Sequence, residues 1–530
     1  MEDVTDSPAP FGDLLQHAHE TRVVVIGGGI AGLVAAYECA KVGMPVTLLE
    51  SSDRVGGAVA TIDVDGLPVD TGAAGWARRG GAVRTLVDEL GLGDAVVHPR
   101  DSRTWIAGLP RGAAAEVPGD AVAGIPANPW DERVRPFLGW GGTWRAYVDR
   151  LRPPMTIGIE RNLDKLVRSR MGDAVADRLV APLSVGGYGV TPDTVDVEGA
   201  APGLSTALTR TGSLGGAVAD LRATPPEGPA ISGLEGGLSL LADALRERIT
   251  ALGGTVRVDA AATAIARTGT EADARWRVTV DAVDAVDAVD AVDAVDAGDV
   301  ATGLDGAGQV PGDGSADAAR AQLDADLVVL AADEGAVRAL VEDAAPGALP
   351  ARAAAPIARE VVTLVVDAAA LDAAPRGAAV YSVPGSHAAA GVLHDTARWE
   401  WLARAAGPGR HVLRVMFGSA GTAPATAALD DAAAFDLARR EATALLGAEL
   451  GTVRAARRDR FTLARPGSAL GVDEHADTVR AAVRGIPGLA AVGGWLSGSG
   501  LAQVVADAVA EAEHVRRRAL WGSDAVEPAE

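Results

Sequence analysis

Residues 23–50 read VVVIGGGIAGLVAAYECAKVGMPVTLLE, and how this stretch is read decides the fold. Val23–Ile26 is a short β-branched run suited to a buried parallel strand. Gly27-x-Gly29-x-x-Gly32 follows where such a strand turns into a helix. Gly27 permits the tight turn, Gly29 lets a pyrophosphate approach the backbone, and Gly32 lets the helix lie close to the strand. The helix then offers free N–H groups and its positive end to that phosphate. Gly43 and Pro45 close the helix, Val46–Leu49 makes a second strand, and Glu50 arrives where an acid binds ribose hydroxyls. Strand, helix, strand and acid in this register imply a dinucleotide seat.

The rest of the chain is large enough to house such a seat in more than one domain. It has 530 residues, 48% of them hydrophobic, and a formal net charge of −23. That charge excludes a general nucleic-acid binder, which needs a clustered positive surface. Cys39 is the only cysteine, so no intramolecular disulfide forms. The first twenty residues carry no apolar core segment, so no secretory signal is expected and the protein is read as cytoplasmic. Gly485–Ala506 is uncharged but interrupted by Gly493, Gly494, Gly498 and Gly500, which argues against a membrane-spanning helix. Peripheral membrane contact stays open. The eight histidines are scattered without metal-ligand spacing, so no metal is expected.

From Asp281 the chain reads DAVDAVDAVDAVDAVDAGDV, a three-residue period that fits neither a helical stripe nor strand alternation. Asp281–Asp326 holds twelve Asp against one Arg, close to half of the excess negative charge. RWRVTV before it and LVVLAAD after it read as strands, so the tract is expected to enlarge a connection between neighbouring strands. Helical patterns occupy Gly81–Leu90, Asp164–Leu179, Leu238–Leu252, Asp430–Leu446 and Leu501–Arg518. The class is therefore mixed α/β.

Several separated segments carry a family resemblance. SSDRVGGAVAT, residues 51–61, resembles the second glycine motif of the flavin-containing amine oxidase superfamily, through Arg54, Gly56 and Gly57. Residues 66–92, GLPVDTGAAGWARRGGAVRTLVDELGL, look like the flavin-proximal Asp-x-Gly segment of its porphyrinogen oxidase branch, through Asp70 and Gly72. Residues 171–197, with APLSVGGYG, resemble that branch's substrate-domain signature, and 236–265 the helix and strand returning to the flavin, with Ala262 where the family contacts adenine through its backbone. RWEWLARAAG around Trp399 resembles a substrate-domain segment, with Arg398 where the family has lysine. Residues 488–513, GLAAVGGWLSGSGLAQVVADAVAEAE, are similar to the C-terminal flavin motif, through Gly494, Gly498, Gly500 and Leu501. The chain departs from the pattern at Ala58, where Arg is frequent, and near Gly471, where a Gly-His pair is frequent.

The resemblance implies an FAD enzyme that takes hydride from a porphyrinogen and passes electrons to oxygen with peroxide formed. Coproporphyrinogen III is the preferred substrate and protoporphyrinogen IX the second, because the only lysines are Lys41 and Lys165, a bias expected of the GC-rich actinobacteria that use the coproporphyrin route. Substrate carboxylates need cations at the mouth of an apolar slot, for which the candidates are Arg78 and Arg79, with Tyr188 as a ring contact. No catalytic side chain is required beyond the flavin. Alternatives are an amine oxidase or carotenoid-desaturase-like enzyme, and a nucleotide-binding protein without turnover; with 4% aromatic residues the chain has little material for an amine oxidase's aromatic cage.

The expected architecture is a Rossmann-like FAD-binding domain (21–85, 230–340 and 455–520) interleaved with a mixed α+β substrate-binding domain (86–229 and 341–454). Residues 86–200 are expected to be mostly helical, 1–20 and 281–325 disordered, and 521–530 a tail.

Overall fold

The structure, a computed structural model, describes residues 11–78, 81–152, 160–223, 230–269, 275–282 and 320–521. Five parallel strands form its first layer, in the order Thr255–Arg257, Val46–Leu49, Val23–Ile26, Leu327–Leu330, Leu489–Ala491. Ile26 lies opposite both Leu49 and Leu330, and Leu330 opposite Ala491, so the carboxyl ends are level. Alternation along these strands feeds two cores. Val23, Val25, Val46 and Leu48 point to one face with the helices Ile30–Ala40 and Leu501–Trp521. Val24, Ile26, Leu49 and Leu330 point to the other with Glu334–Ala344 and Val472–Arg484. Burial on both sides explains why the strands are uninterrupted apolar runs. Cys39 is fully buried in the helix Ile30–Ala40, and burial pushes its thiol up to about 12, so it stays an unreactive thiol.

A second sheet has seven strands, ordered Val453–Leu463, Ile357–Asp367, Arg410–Phe417, Gly391–His394, Ala379–Ser382, Thr104–Leu109, Ala113–Glu116. All neighbours are antiparallel except Ala379–Ser382 with Thr104–Leu109. Val362, Leu364, Val366, Leu413, Val415 and Phe417 bury one face beneath the helix Asp431–Leu446. By the two-residue period, Arg359, Val361, Thr363, Arg414 and Met416 stand on the opposite face. A helical unit (Arg135–Tyr147, Leu163–Arg170, the run 173–188, Leu204–Thr211, Leu214–Ala223) closes around Phe137, Leu163, Met171 and Leu204.

Several expected boundaries are corrected. Phe11–Glu20, placed in the disordered 1–20, is a helix packed against Leu501–Trp521, because its apolar stripe has a partner there. Residues 86–200 are not mostly helical from their start: Thr104–Leu109 and Ala113–Glu116 belong to the seven-stranded sheet, and helix dominates only from Arg135. Residues 455–463 continue a strand of that same sheet rather than the nucleotide domain, and Val341–Ala344 finish a helix of the nucleotide domain.

Within 281–325, Asp281 and Ala282 end a strand and Arg320–Ala325 form its antiparallel partner; residues 283–319, which hold most of the repeat, lie outside the described residues. The expected neighbour LVVL instead joins the parallel sheet. Asp281 faces Arg320 across the last rung and their side chains meet at 3.3 Å. Both ends of the repeat therefore start from one hairpin. Replacing 283–319 by a short turn is expected to leave the thermal midpoint unchanged or raise it, since each halving of the length of a connection is worth about 0.6 kcal/mol in closure entropy. A thermal melt checks this; a lowered midpoint would mean the repeat packs on the fold.

The second sheet also buries an imidazole pair. His394 Nε2 lies 3.0 Å from His411 Nδ1, and His411 Nε2 lies 3.2 Å from Asp372. Burial, then the neighbouring His411, holds His394 down at about 3; burial also lowers His411. Both are thus neutral when folded but titrate near 6.5 when unfolded. Their stabilisation is full above pH 6.5 and is lost as pH falls toward the folded values, by about 2 kcal/mol from His394 alone at pH 5. Urea melts against pH should show this acid limb, and the double variant His394→Gln/His411→Gln should flatten it.

Candidate functional site

The carboxyl edge of the parallel sheet gathers the glycine turns. Gly27 carries φ 113°, and a Cβ there would lie 2.6 Å from the Ala331 carbonyl carbon, so this turn presses against the end of the next strand. A Cβ on Gly32 would lie 1.9 Å from Gly27 O, which fixes how closely helix and strand approach. Gly29 differs: nothing lies within 4 Å of its would-be Cβ, and its φ of −66° is ordinary. The helix Ile30–Ala40 begins beside it without a side-chain cap, leaving its first amides available to an anion.

Glu50 closes one flank. Its Oε2 accepts from Gly28 N at 2.7 Å, and Oε1 accepts from Ser52 N at 2.8 Å and Ser52 Oγ at 2.7 Å. The half-buried carboxylate is thereby aimed, and Oε2 retains a lone pair for a hydroxyl. Ala262 sits on the strand Ala260–Thr268, which starts where Ala260 N donates to Glu50 O, and the register slips between Ala262 and Ala264.

The second glycine pair forms the other flank. Gly56 bridges to Gly29, and Gly56 N donates to Gly28 O at 2.8 Å. Exposed Arg54 donates to Gly57 O at 3.1 Å, which braces this turn. Asp70 is buried; its Oδ1 accepts from Thr61 Oγ1 at 2.6 Å and Leu238 N at 2.9 Å, pinning the start of the helix Ser239–Ala251. Burial pushes its carboxyl up, and those two donors pull it down less strongly. Sequence reading missed this cap; Thr61, with Gly236 and Gly237 before the helix, was the available signal.

The C-terminal turn comes from the neighbouring parallel strand. Val492 N donates to Leu330 O, and the short helix Gly494–Ser497 leads to Gly498, whose Cβ would lie 2.3 Å from Gly467 N. Gly500 O receives the amides of Gln503 and Val504, starting the helix from Leu501. Trp495 Nε1 and Arg465 Nε beside this turn are buried without a hydrogen-bond partner among the described residues. Val505, Ala508 and Ala512 of the helix share a core with Ile30–Ala40, which brings the C-terminal turn beside the first glycine motif.

Residues 30–516 match the family described as flavin containing amine oxidoreductase. The chain belongs to that family. As a flavin-containing amine oxidoreductase it is an enzyme whose cofactor is FAD. Among curated relatives, the chain is 32% identical over 200 residues to a coproporphyrinogen III oxidase of Propionibacterium freudenreichii (38% of this chain, 37% of the relative). It is 32% identical over 244 residues to one of Mycobacterium tuberculosis (42% and 50%). These matches span half or less of the relatives' length. A solved structure from Exiguobacterium sp. 255-15, named "Putative protoporphyrinogen oxidase", shares the fold with a TM-score of 0.74 at 23% identity, covering 94% of this chain and 98% of that one.

The residues present fit FAD. The unfilled space over Gly29, the aimed Glu50 carboxylate and the unpartnered Trp495 and Arg465 donors are what a diphosphate, a ribose and a polar ring edge require.

Beyond Gly72 the seven-stranded sheet begins. Phe461 Cε1 lies 3.3 Å from a would-be Gly72 Cβ, and Arg414 Nη1 donates to Gly72 O at 2.8 Å. Trp399 packs on Gly233 and Gly75 and is a buried spacer between the domains. Of the substrate candidates, Arg78 is exposed beside the strand Trp76–Ala77, with its amide on Ala230 O, and Tyr188 is 63% exposed at the end of the π-helical turn Ser184–Tyr188. They stand on separate elements. Arg79 lies outside the described residues. No cluster of metal-ligating side chains occurs, and no helix is long and apolar enough to cross a membrane, among the described residues.

Proposed function

We propose that this protein oxidises a porphyrinogen, coproporphyrinogen III in preference to protoporphyrinogen IX, in cytoplasmic haem biosynthesis, with oxygen as the final electron acceptor. The observation that carries this reading is that the glycine cradle meets, at Gly72, a sheet face that carries Val361, Met416 and Phe461, with Tyr381 across Gly391 from Met416. The clustered tryptophans Trp130, Trp140 and Trp144, which meet tilted and edge-on, belong to the outer side of the helical unit, where Trp140 and Trp144 are 66% and 58% exposed. An amine oxidase would need such rings at the flavin. The names of the curated relatives support the same substrate class.

Bound FAD would supply the hydride-accepting chemistry, with oxygen as the proposed acceptor of its electrons. The protein's part is placement. The Gly28 to Ile30 backbone would hold the diphosphate, Glu50 a ribose, Gly56, Gly57 and the brace from Arg54 the opposite flank, and Ala262 the adenine side through its main chain. Gly494, Gly498 and Gly500 would shape the last turn, and the N-terminus of Leu501–Trp521 would favour negative charge on the reduced ring. Asp70 and Gly72 would hold the ring's neighbour segment in place from behind. The covered sheet face would exclude water from the hydride path, with Tyr188 and Arg78 or Arg79 at the slot's mouth.

FAD-loaded protein is expected to convert coproporphyrinogen III into fluorescent porphyrin faster than it converts protoporphyrinogen IX. Retention of FAD with neither porphyrinogen oxidised above its spontaneous rate would contradict the proposal.

A further inference from the structure

Buried arginines in this fold come with carboxylates. Arg170 meets Asp149, Arg414 meets Asp395, and Arg458 meets Glu360. Arg359 is the exception. It is 6% exposed, yet it makes no ion pair among the described residues; its Nη2 donates to Gly186 O at 2.6 Å and contacts Met416 Sδ at 3.2 Å. Nε and Nη1 make no hydrogen bond among the described residues. Burial lowers its pKa, with only Tyr381 acting the other way. A guanidinium this buried is costly without a counter-charge, and its Nε and Nη1, unlike the fully enclosed donors of Arg222 and Arg338, stay within reach of an incoming anion.

Its position says where that charge enters. Arg359 is the cross-strand partner of Phe461, the residue that touches the Gly72 position. Arg359, Val361 and Met416 share the sheet face described above, and Val361 pairs with Met416. Above Arg359 runs the turn Ser184–Tyr188, held by the bond to Gly186 O. A Cβ on Gly186 would lie 2.2 Å from Tyr381 Cδ1, and one on Gly189 would lie 3.1 Å from Arg359 Nη1. Glycines at both positions keep side chains away from the guanidinium and from the Tyr381 ring.

We propose that Arg359 is a specificity-determining residue that binds a carboxylate of the tetrapyrrole at the inner end of the slot. This rests on the porphyrinogen reading above. With Nη2 held by Gly186 O and Met416 Sδ, Nε or Nη1 would give the carboxylate a charge-assisted hydrogen bond from a fixed direction, which a lysine ammonium reproduces only in part.

The test compares coproporphyrin III, and the porphyrinogen made from it, with their methyl esters, in which the carboxylates are masked. Arg359→Gln is expected to raise the Kd for coproporphyrin III and the KM for coproporphyrinogen III at least about thirtyfold. It should leave kcat within about threefold and ester binding unchanged, with FAD content and thermal midpoint as in the parent. Arg359→Lys should recover part of the acid affinity. Equal losses for acid and ester, or a fallen FAD content and midpoint in both variants, would overturn the proposal by marking Arg359 as a structural support for Gly186. A parent protein that holds FAD but binds no porphyrin would overturn the function above and this inference with it. Undiminished coproporphyrin III affinity in Arg359→Gln would overturn this inference alone.

Discussion

Gly29→Val is expected to give a protein as stable as the parent that binds FAD about 10- to 100-fold more weakly. The two halves of that result have separate causes. Gly29 has φ −66° and open space around its would-be Cβ, so a side chain strains neither backbone nor packing in the empty protein. The same space is where a diphosphate must approach the helix amides, and valine methyl groups would fill it. Gly32→Val makes the contrast: its Cβ would sit 1.9 Å from Gly27 O, so that variant should lose stability and FAD together. Thermal melts of the flavin-free proteins and FAD titrations followed by flavin fluorescence separate the cases. A destabilised Gly29→Val would mean that the open space belongs to the protein rather than to its cofactor.

Asp395→Ala is expected to cost about 3–5 kcal/mol of stability. Asp395 and Arg414 are each 3% exposed at the side chain, with Nε to Oδ2 at 2.5 Å, and removing the acid strands a buried guanidinium. The damage should travel, because Arg414 also holds Gly72 O and so ties the sheet to the segment after Asp70. The paired change Asp395→Leu/Arg414→Met should recover most of the stability, since a matched apolar pair avoids desolvating two charges. It should not recover FAD affinity, because the tie to Gly72 is gone. Urea unfolding of the single and double variants checks the first statement and FAD titration the second. A loss below about 1 kcal/mol in Asp395→Ala would place the pair near solvent.

The nucleotide half of the fold was legible because its rules are local. Val23–Ile26 and Val46–Leu49 are the strands read from the apolar runs, Glu50 reaches Gly28 as the spacing requires, and the helix from Leu501 begins where Gly500 allows. The seven-stranded sheet was not legible in the same way. Its strands come from 104–116, 357–417 and 453–463, and nothing local announces that Thr104–Leu109 will run parallel to Ala379–Ser382. The strand Arg320–Ala325, RAQLDA, was hidden because half its residues are polar and its partner lies across the repeat. Phe11–Glu20 was expected to lie in a disordered 1–20 because its short apolar stripe has meaning only against the closing helix.

The site divides along the same line. Gly27, Gly29, Gly32 and Glu50, proposed to seat the cofactor, come from one continuous motif, whereas Arg359 is one arginine among many until the structure buries it with no carboxylate partner among the described residues. Tyr188 and Arg78, picked from motif position, turn out to be exposed, which suits the entrance of a slot better than its inner end.

Whether the separated segments close around one cofactor is tested most directly by a structure of the protein with FAD bound. The diphosphate is predicted over Gly28 and Gly29, a ribose on Glu50, and the ring system between the Gly56–Gly72 segments and the Gly498–Leu501 turn. A flavin held by the first motif alone, with the C-terminal turn and the sheet face of Phe461 pointing elsewhere, would contradict that closure.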